Sequence, residues 1–170
     1  AFQRGFAGST AAVLSVAAVV VMLAVPALAG GYDSALKGVS GIKAVFDVSQ
    51  GNPKVSNVIF WAVQNVYEDE TVKALQEKTQ MAIVFHGPAV KLISADRSAF
   101  KGEELAEVDK FHETLRQLKK DGVKLEVCLY AAKVMGVDPA AILPEIDRVG
   151  NGFISVIGYQ NQGYAVVRVP

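Results

Sequence analysis

The chain has 170 residues, 51% of them hydrophobic and 20% charged, enough for one domain with a sizeable core. Seventeen basic and seventeen acidic residues cancel, and no Lys/Arg-rich run stands out, so nothing marks a nucleic-acid partner. A single cysteine excludes an internal disulfide framework and a cysteine-based zinc cluster.

The first segment is apolar. Arg4 is the only charge before Asp33, and Ala11 to Ala29 is continuously apolar or small. It ends in Ala27-Leu28-Ala29, a cleavage pattern of secretory signal peptides, and it also has about the length of a membrane-spanning helix. Two readings of residues 1–29 stand: a removed signal peptide, or a retained anchor through residues 7–29. Both keep Arg4 on the cytoplasmic side and place the globular part outside, in a periplasm-like space. Residues 30–41 hold four glycines and read as a linker. The globular domain is expected over 42–170.

Ile42 to Val48 (IKAVFDV) predicts a first, mostly buried strand. Asn52 and Pro53 suit the cap and first position of a helix. On that helix Val55, Val58, Ile59, Ala62, Val63 and Val66 form the expected inward stripe, with Phe60 and Trp61 beside it. Glu68-Asp69-Glu70 marks either a break or a solvated end, and Thr71 to Gln80 is expected to resume a helix. Met81 to Phe85 is a continuous apolar run, as in a central parallel strand, and His86-Gly87-Pro88 stops it. A helical turn over Ala89 to Ile93 and a loop over Ser94 to Lys101 follow.

Gly102 to Lys120 is the clearest helix, with Leu105, Val108, Phe111, Leu115 and Leu118 on one face. His112 lies beside that face, structural or solvated. Lys124 to Cys128 predicts a strand that turns directly into a short helix closed by Gly136. Pro139 to Leu143 predicts a short helix and Glu145 to Val149 a further strand. Asn151 to Gln160 predicts a helix with Phe153, Val156 and Ile157 inward. Tyr164 to Val169 is the last strand. Strands alternating with helices argue for a three-layer α/β sandwich, a mainly parallel sheet of about five strands flanked by helices and preceded by the N-terminal hydrophobic helix.

Parallel strands send their carboxyl ends to one sheet edge, where open α/β sheets bind ligands. Asp47 with Ser49, His86 and Cys128 lie at three such ends. With strands about 4.8 Å apart, adjacent ends share one crevice. Cys128 is either a small buried hydrophobe or a thiolate favoured at a helix start, with Lys133 as an electrostatic aid. His86 is either a turn residue or an acid–base partner of Cys128. The Ser49–Asn52 loop either holds an anion, with Asp47, Ser49 and Asn52 as ligand-binding candidates, or simply caps its helix. No metal is read, because the two histidines and the cysteine lack tight ligand spacing. No cofactor is read either, as G-x-G-x-x-G, the P-loop, C-x-x-C and G-x-S-x-G are all absent.

Four stretches carry a family resemblance: KAVFDVSQGNP, IVFHGPAV, GVKLEVCLYAAKVMGV and GYQNQGYAVVRV. In order and spacing, from Lys43 to Val169, they resemble the DsrE-like (DsrE/DsrF-like) family. The resemblance implies one α/β domain assembled as trimers or hexamers. Its best understood members carry sulfur as a persulfide on a cysteine that follows a strand and precedes a short Ala-rich helix ending in Gly. Cys128 occupies that place. Sulfur-relay members are cytoplasmic, whereas the N-terminal segment here points outward. Three functions follow as expectations: a sulfur carrier using Cys128 with help from His86, a non-catalytic accessory subunit of a membrane complex, and a small-ligand pocket without covalent chemistry.

Overall fold

The short apolar runs become the strands of one sheet, in a computed structural model that describes residues 31–170. The expected hydrophobic helix and both readings of residues 1–29 lie outside the described residues. Among the described residues no helix is long and apolar enough to cross a membrane. The strands are β1 (Lys43–Val48), β2 (Gln80–Phe85), β3 (Lys124–Cys128), β4 (Asp147–Val149) and β5 (Ala165–Val169). Their order is β4-β3-β2-β1-β5, and every pairing is parallel. The five-stranded α/β sheet expected from the alternation is present, and it is wholly rather than mainly parallel.

Helices α1 (Pro53–Glu68), α2 (Glu70–Lys73), α3 (Ala89–Leu92), α4 (Glu104–Lys120), α5 (Leu129–Val134) and α6 (Gly152–Asn161) connect them, with a 3-10 turn at Pro139–Ala141. Alternation along the strands splits the core in two. Ala44, Phe46, Val48, Ile83, Phe85, Leu125 and Val127 face α1 and α4, and α3 joins the same cluster. Its centre is aromatic: Phe60 meets Phe111 edge-on at 4.7 Å between ring centroids and Phe85 at 6.1 Å. Val45, Ala82 and Val84 face the other way, toward Tyr159, Tyr164 and Val156. A single helix, α6, supplies most of that second layer.

Two helices are rotated from the orientation their apolar pattern predicts. On α1 the buried face is Pro53, Ser56, Asn57, Phe60 and Val63, while Val55, Val58 and Ala62 are exposed. The Ser56 hydroxyl and the Asn57 amide nitrogen are partnered in that buried position, while Asn57 Oδ1 is without a partner among the described residues. Ser56 donates to the Gln50 carbonyl at 3.4 Å, and the Asn57 amide donates to the Glu107 carbonyl at 2.9 Å and side chain at 2.7 Å. Phe60 is therefore at the centre of the core rather than beside it. On α6, Phe153 and Ile157 point outward, Val156 is half-buried, and Gly152 and Tyr159 face the sheet. The Tyr159 hydroxyl donates to Glu126 at 2.5 Å, and the Tyr164 hydroxyl to Gln80 at 3.0 Å. Burial, then the bond to Glu126, pushes the Tyr159 phenol well above its ordinary range.

The helix expected over Thr71 to Gln80 is confined to α2. Asp69 breaks α1 and caps α2 by accepting from the Thr71 and Val72 N–H groups. Past Lys73 the chain turns toward β2 without a further helix. His112 is buried, and Nε2–H donates to the Leu92 carbonyl at 2.7 Å. The bond ties α4 to the end of α3, a structural role.

Two stability measurements check this packing. Phe60→Ala should cost about 3–5 kcal/mol in urea unfolding, the usual loss for a buried Phe, whereas Val55→Ala should shift it by no more than about 0.5 kcal/mol. Equal losses would restore the other helix face. Burial also holds the His112 imidazole below its ordinary 6.5, against the opposing pull of the Leu92 bond. The unfolded chain then binds the proton more readily. Stability contributed here is full above the unfolded value and is lost as pH falls through the folded one. Between about pH 7.5 and 5.5 the wild type should lose more stability than His112→Gln; parallel losses would show that the imidazole is not held neutral.

Candidate functional site

Parallel pairing decides which side chains meet at the carboxyl edge. Val48 pairs with Phe85, and Phe85 with Val127. One residue further along, Ser49, His86 and Cys128 fall on a single cross-sheet row, about 4.8 Å apart from strand to strand. His86 N–H donates to the Val48 carbonyl at 2.9 Å and Ser49 N–H to the Val169 carbonyl at 2.8 Å, so the ladder continues past the strand ends. Asp47 and Arg168 are register partners on β1 and β5, two residues back from that row.

These groups line one crevice of about 500 Å³. Asp47, Ser49, His86, Cys128, Asn151 and Arg168 supply its polar atoms. Ala131, Val134, Met135, Tyr130 and Phe153 make its wall near the sulfur mainly apolar. This is the size and character of a site for a small organic molecule. Tyr130, Val134 and Phe153 are exposed at the rim.

Cys128 ends β3 and caps α5 in one residue. Its backbone is extended, with φ −71° and ψ 107°, and its sulfur accepts the Ala131 N–H at 3.4 Å. That donor sits where negative charge on sulfur would be stabilised. Only 5% of the residue is exposed, yet it forms part of the crevice lining. The sulfur is enclosed on the protein side and open on the ligand side.

The close roof over Cys128 depends on a glycine. A Cβ on Gly152 would lie 2.9 Å from the Cys128 Cβ and 3.1 Å from Val84 Cγ1. Without a side chain there, the first turn of α6 settles directly over β2 and β3. Asn151 caps that turn, its side chain accepting the Phe153 N–H at 3.0 Å. Gly51 acts similarly between the loops after β1 and β2, where an added Cβ would meet the Pro88 Cβ at 2.5 Å.

His86 is nearly buried, with its Nε2 paired to the Asp47 carboxylate and its ring 5.3 Å from that of Phe153 in an edge-type contact. A carboxylate only accepts, so Nε2 carries a proton and Nδ1 is left to exchange one. The pair holds the ring in place as an oriented base does. Of the sequence candidates, Cys128, His86, Asp47 and Ser49 are brought together. Asn52 lies outside the crevice lining, and its side chain accepts the Val55 N–H at 3.0 Å as the cap of α1. Lys133 is exposed and does not line the crevice. Among the described residues no group of three or more His, Cys, Asp or Glu could hold a metal.

Arg168, Asn151 and the apolar wall were not singled out in the sequence. Arg168 left a signal, the one charge in an otherwise apolar final strand. Its position became meaningful only once β5 was known to lie beside β1. Asn151 is an ordinary helix cap in sequence, and nothing in its neighbourhood tells that α6 returns over Cys128.

Comparison with known proteins agrees with this architecture. The profile of the DsrE/DsrF-like family matches residues 44–169. Among solved structures, the protein of unknown function MTH1491 from Methanobacterium thermoautotrophicum superposes with a TM-score of 0.55 at 20% identity, over 75% of this chain and 98% of that one. The ychN protein from E. coli gives a TM-score of 0.49 at 12% identity, again over 75% of this chain and 98% of the other. A search of curated proteins found no match. The likeness to MTH1491 is one of fold. The family match runs from the first strand to the last, and on that ground the chain belongs to the DsrE/DsrF-like family.

Proposed function

We propose that the domain is a sulfur carrier in which Cys128 accepts sulfane sulfur as a persulfide. The observation that supports this reading most is the sole cysteine on a crevice wall, next in register to an imidazole oriented by a carboxylate. Family membership makes sulfur transfer a plausible role, and the residues supply the means for it.

The step runs as follows. His86 Nδ1 takes the thiol proton of Cys128, and the thiolate attacks the outer sulfur of a donor R–S–SH. A new S–S bond forms on Cys128 as the S–S bond of the donor breaks. The donor's inner sulfur leaves with the electron pair and takes the proton back from His86. The sum is R–S–SH + Cys–SH → R–SH + Cys–S–SH, with no external oxidant. Ala131 N–H stabilises charge on the Cys128 sulfur before attack, and Asp47 keeps the imidazole aimed.

A second reading, a ligand pocket without covalent chemistry, draws on the volume and apolar wall alone. Incubation with a sulfane donor and intact-mass measurement separates the two. One added sulfur is expected on the wild type and none on Cys128→Ser, with His86→Gln slower by about a hundredfold. An unmodified wild-type thiol that also resists alkylation in the folded state would leave the ligand pocket as the better reading.

The proposal includes self-association with further copies of this chain, as the family resemblance implies. Val58 and Trp61 are exposed on the outer side of α1, and Val167 is exposed on the edge strand β5. An edge strand with apolar neighbours is a surface that proteins usually cover. Sedimentation should give an assembly larger than a monomer, reduced by Trp61→Glu. A wild type that sediments as a monomer at high concentration removes this part.

A further inference from the structure

We propose that the crevice selects an organic sulfur donor with an anionic end, and that Arg168 is the residue that reads that end. The inference rests on the sulfur-transfer reading and adds the class of donor to it.

Arg168 lines the crevice together with Cys128. Its register partner Asp47 is the neighbouring carboxylate, one oxygen of which is engaged by His86. Among the described residues the Arg168 guanidinium has no ion pair and no hydrogen bond. Arg168 is exposed and lines the crevice, and an arginine so placed suits a carboxylate or another oxyanion. Lys133 is exposed outside the lining and does not duplicate this charge.

The two ends of the crevice differ in chemistry. Around Cys128 the wall is Ala131, Val134, Met135 and Phe153. Arg168 stands on β5, and the order β3-β2-β1-β5 separates the two residues by three strand spacings, about 14 Å at the backbone. An extended arginine side chain reaches roughly half of that distance from its backbone. An inorganic donor such as thiosulfate, with its anionic oxygens only two bonds from the sulfane sulfur, cannot touch both ends. A hydropersulfide whose sulfur is separated from a carboxylate by several carbons can. Its sulfur would meet Cys128, its carbon chain the apolar wall, and its carboxylate Arg168. The volume of about 500 Å³ also fits an organic molecule rather than a triatomic sulfur species.

The test compares three donors on the purified protein: the hydropersulfide of mercaptohexanoic acid, that of mercaptohexanol, and thiosulfate. The rate of sulfur addition to Cys128 is followed by intact mass. The acid should outpace the alcohol by about ten- to a hundredfold, the worth of a charge-assisted hydrogen bond, and thiosulfate should be slower than either. Arg168→Gln should bring the acid-to-alcohol ratio close to one, and Arg168→Lys should restore part of it. Equal rates for acid and alcohol in the wild type, or a ratio untouched by Arg168→Gln, would overturn the inference while leaving Cys128 as a sulfur acceptor. If no donor modifies Cys128, the transfer reading fails. Binding of mercaptohexanoic acid, read by chemical-shift titration, then decides the anchor alone: weaker binding to Arg168→Gln supports it, and equal binding overturns it.

Discussion

Parallel pairing at fixed register is the constraint on which the site depends. Each strand runs the same way, so each delivers its carboxyl end to the same edge. Side-chain alternation then decides which of those ends look into the crevice. Val84 and His86 share one side of β2, Glu126 and Cys128 one side of β3, and Val45 and Asp47 one side of β1. A slip of one residue in any pair would turn its polar group into the aromatic core around Phe60. The packing of Phe46, Ile83, Phe85 and Val127 against α1 and α4 therefore holds the chemistry in register from the opposite face.

The two faces of the sheet are built differently. The α1–α4 side is aromatic at its centre, with Phe60, Phe85 and Phe111 in contact. The α6 side carries polar groups under a thin cover. Tyr159 bonds to Glu126, Tyr164 bonds to Gln80, and Lys124 lies 5.5 Å from the Tyr159 ring centre. One carboxylate oxygen of Glu126 is buried without a partner among the described residues. The site opens from this more polar face, at the end where α6 begins.

Much of the fold was legible because the strands are short apolar runs bounded by clear stops. IKAVFDV, MAIVF and KLEVC could be placed from their residues, and their parallel arrangement followed from the helices between them. Helix faces were less legible. Ser56 and Asn57 are buried with backbone and side-chain partners, and hydrophobicity alone cannot report such partners. On α6 the outward Phe153 and Ile157 are more apolar than the inward Gly152, whose value lies in having no side chain. Cys128, His86 and Asp47 were legible as strand ends. Arg168 was not, since strand order decides which end neighbours which, and order is a property of long-range packing.

Gly152 against Cys128 brings the start of α6 to within van der Waals reach of the crevice wall, and Gly51 against Pro88 packs the loops after β1 and β2 as closely. Contacts of that closeness leave the loops little room to rearrange. The cavity is thus shaped before anything enters it, and a guest meets walls already in position. Recognition in such a mould would be governed by fit and by passage through the aromatic rim, with no folding of loops around the guest.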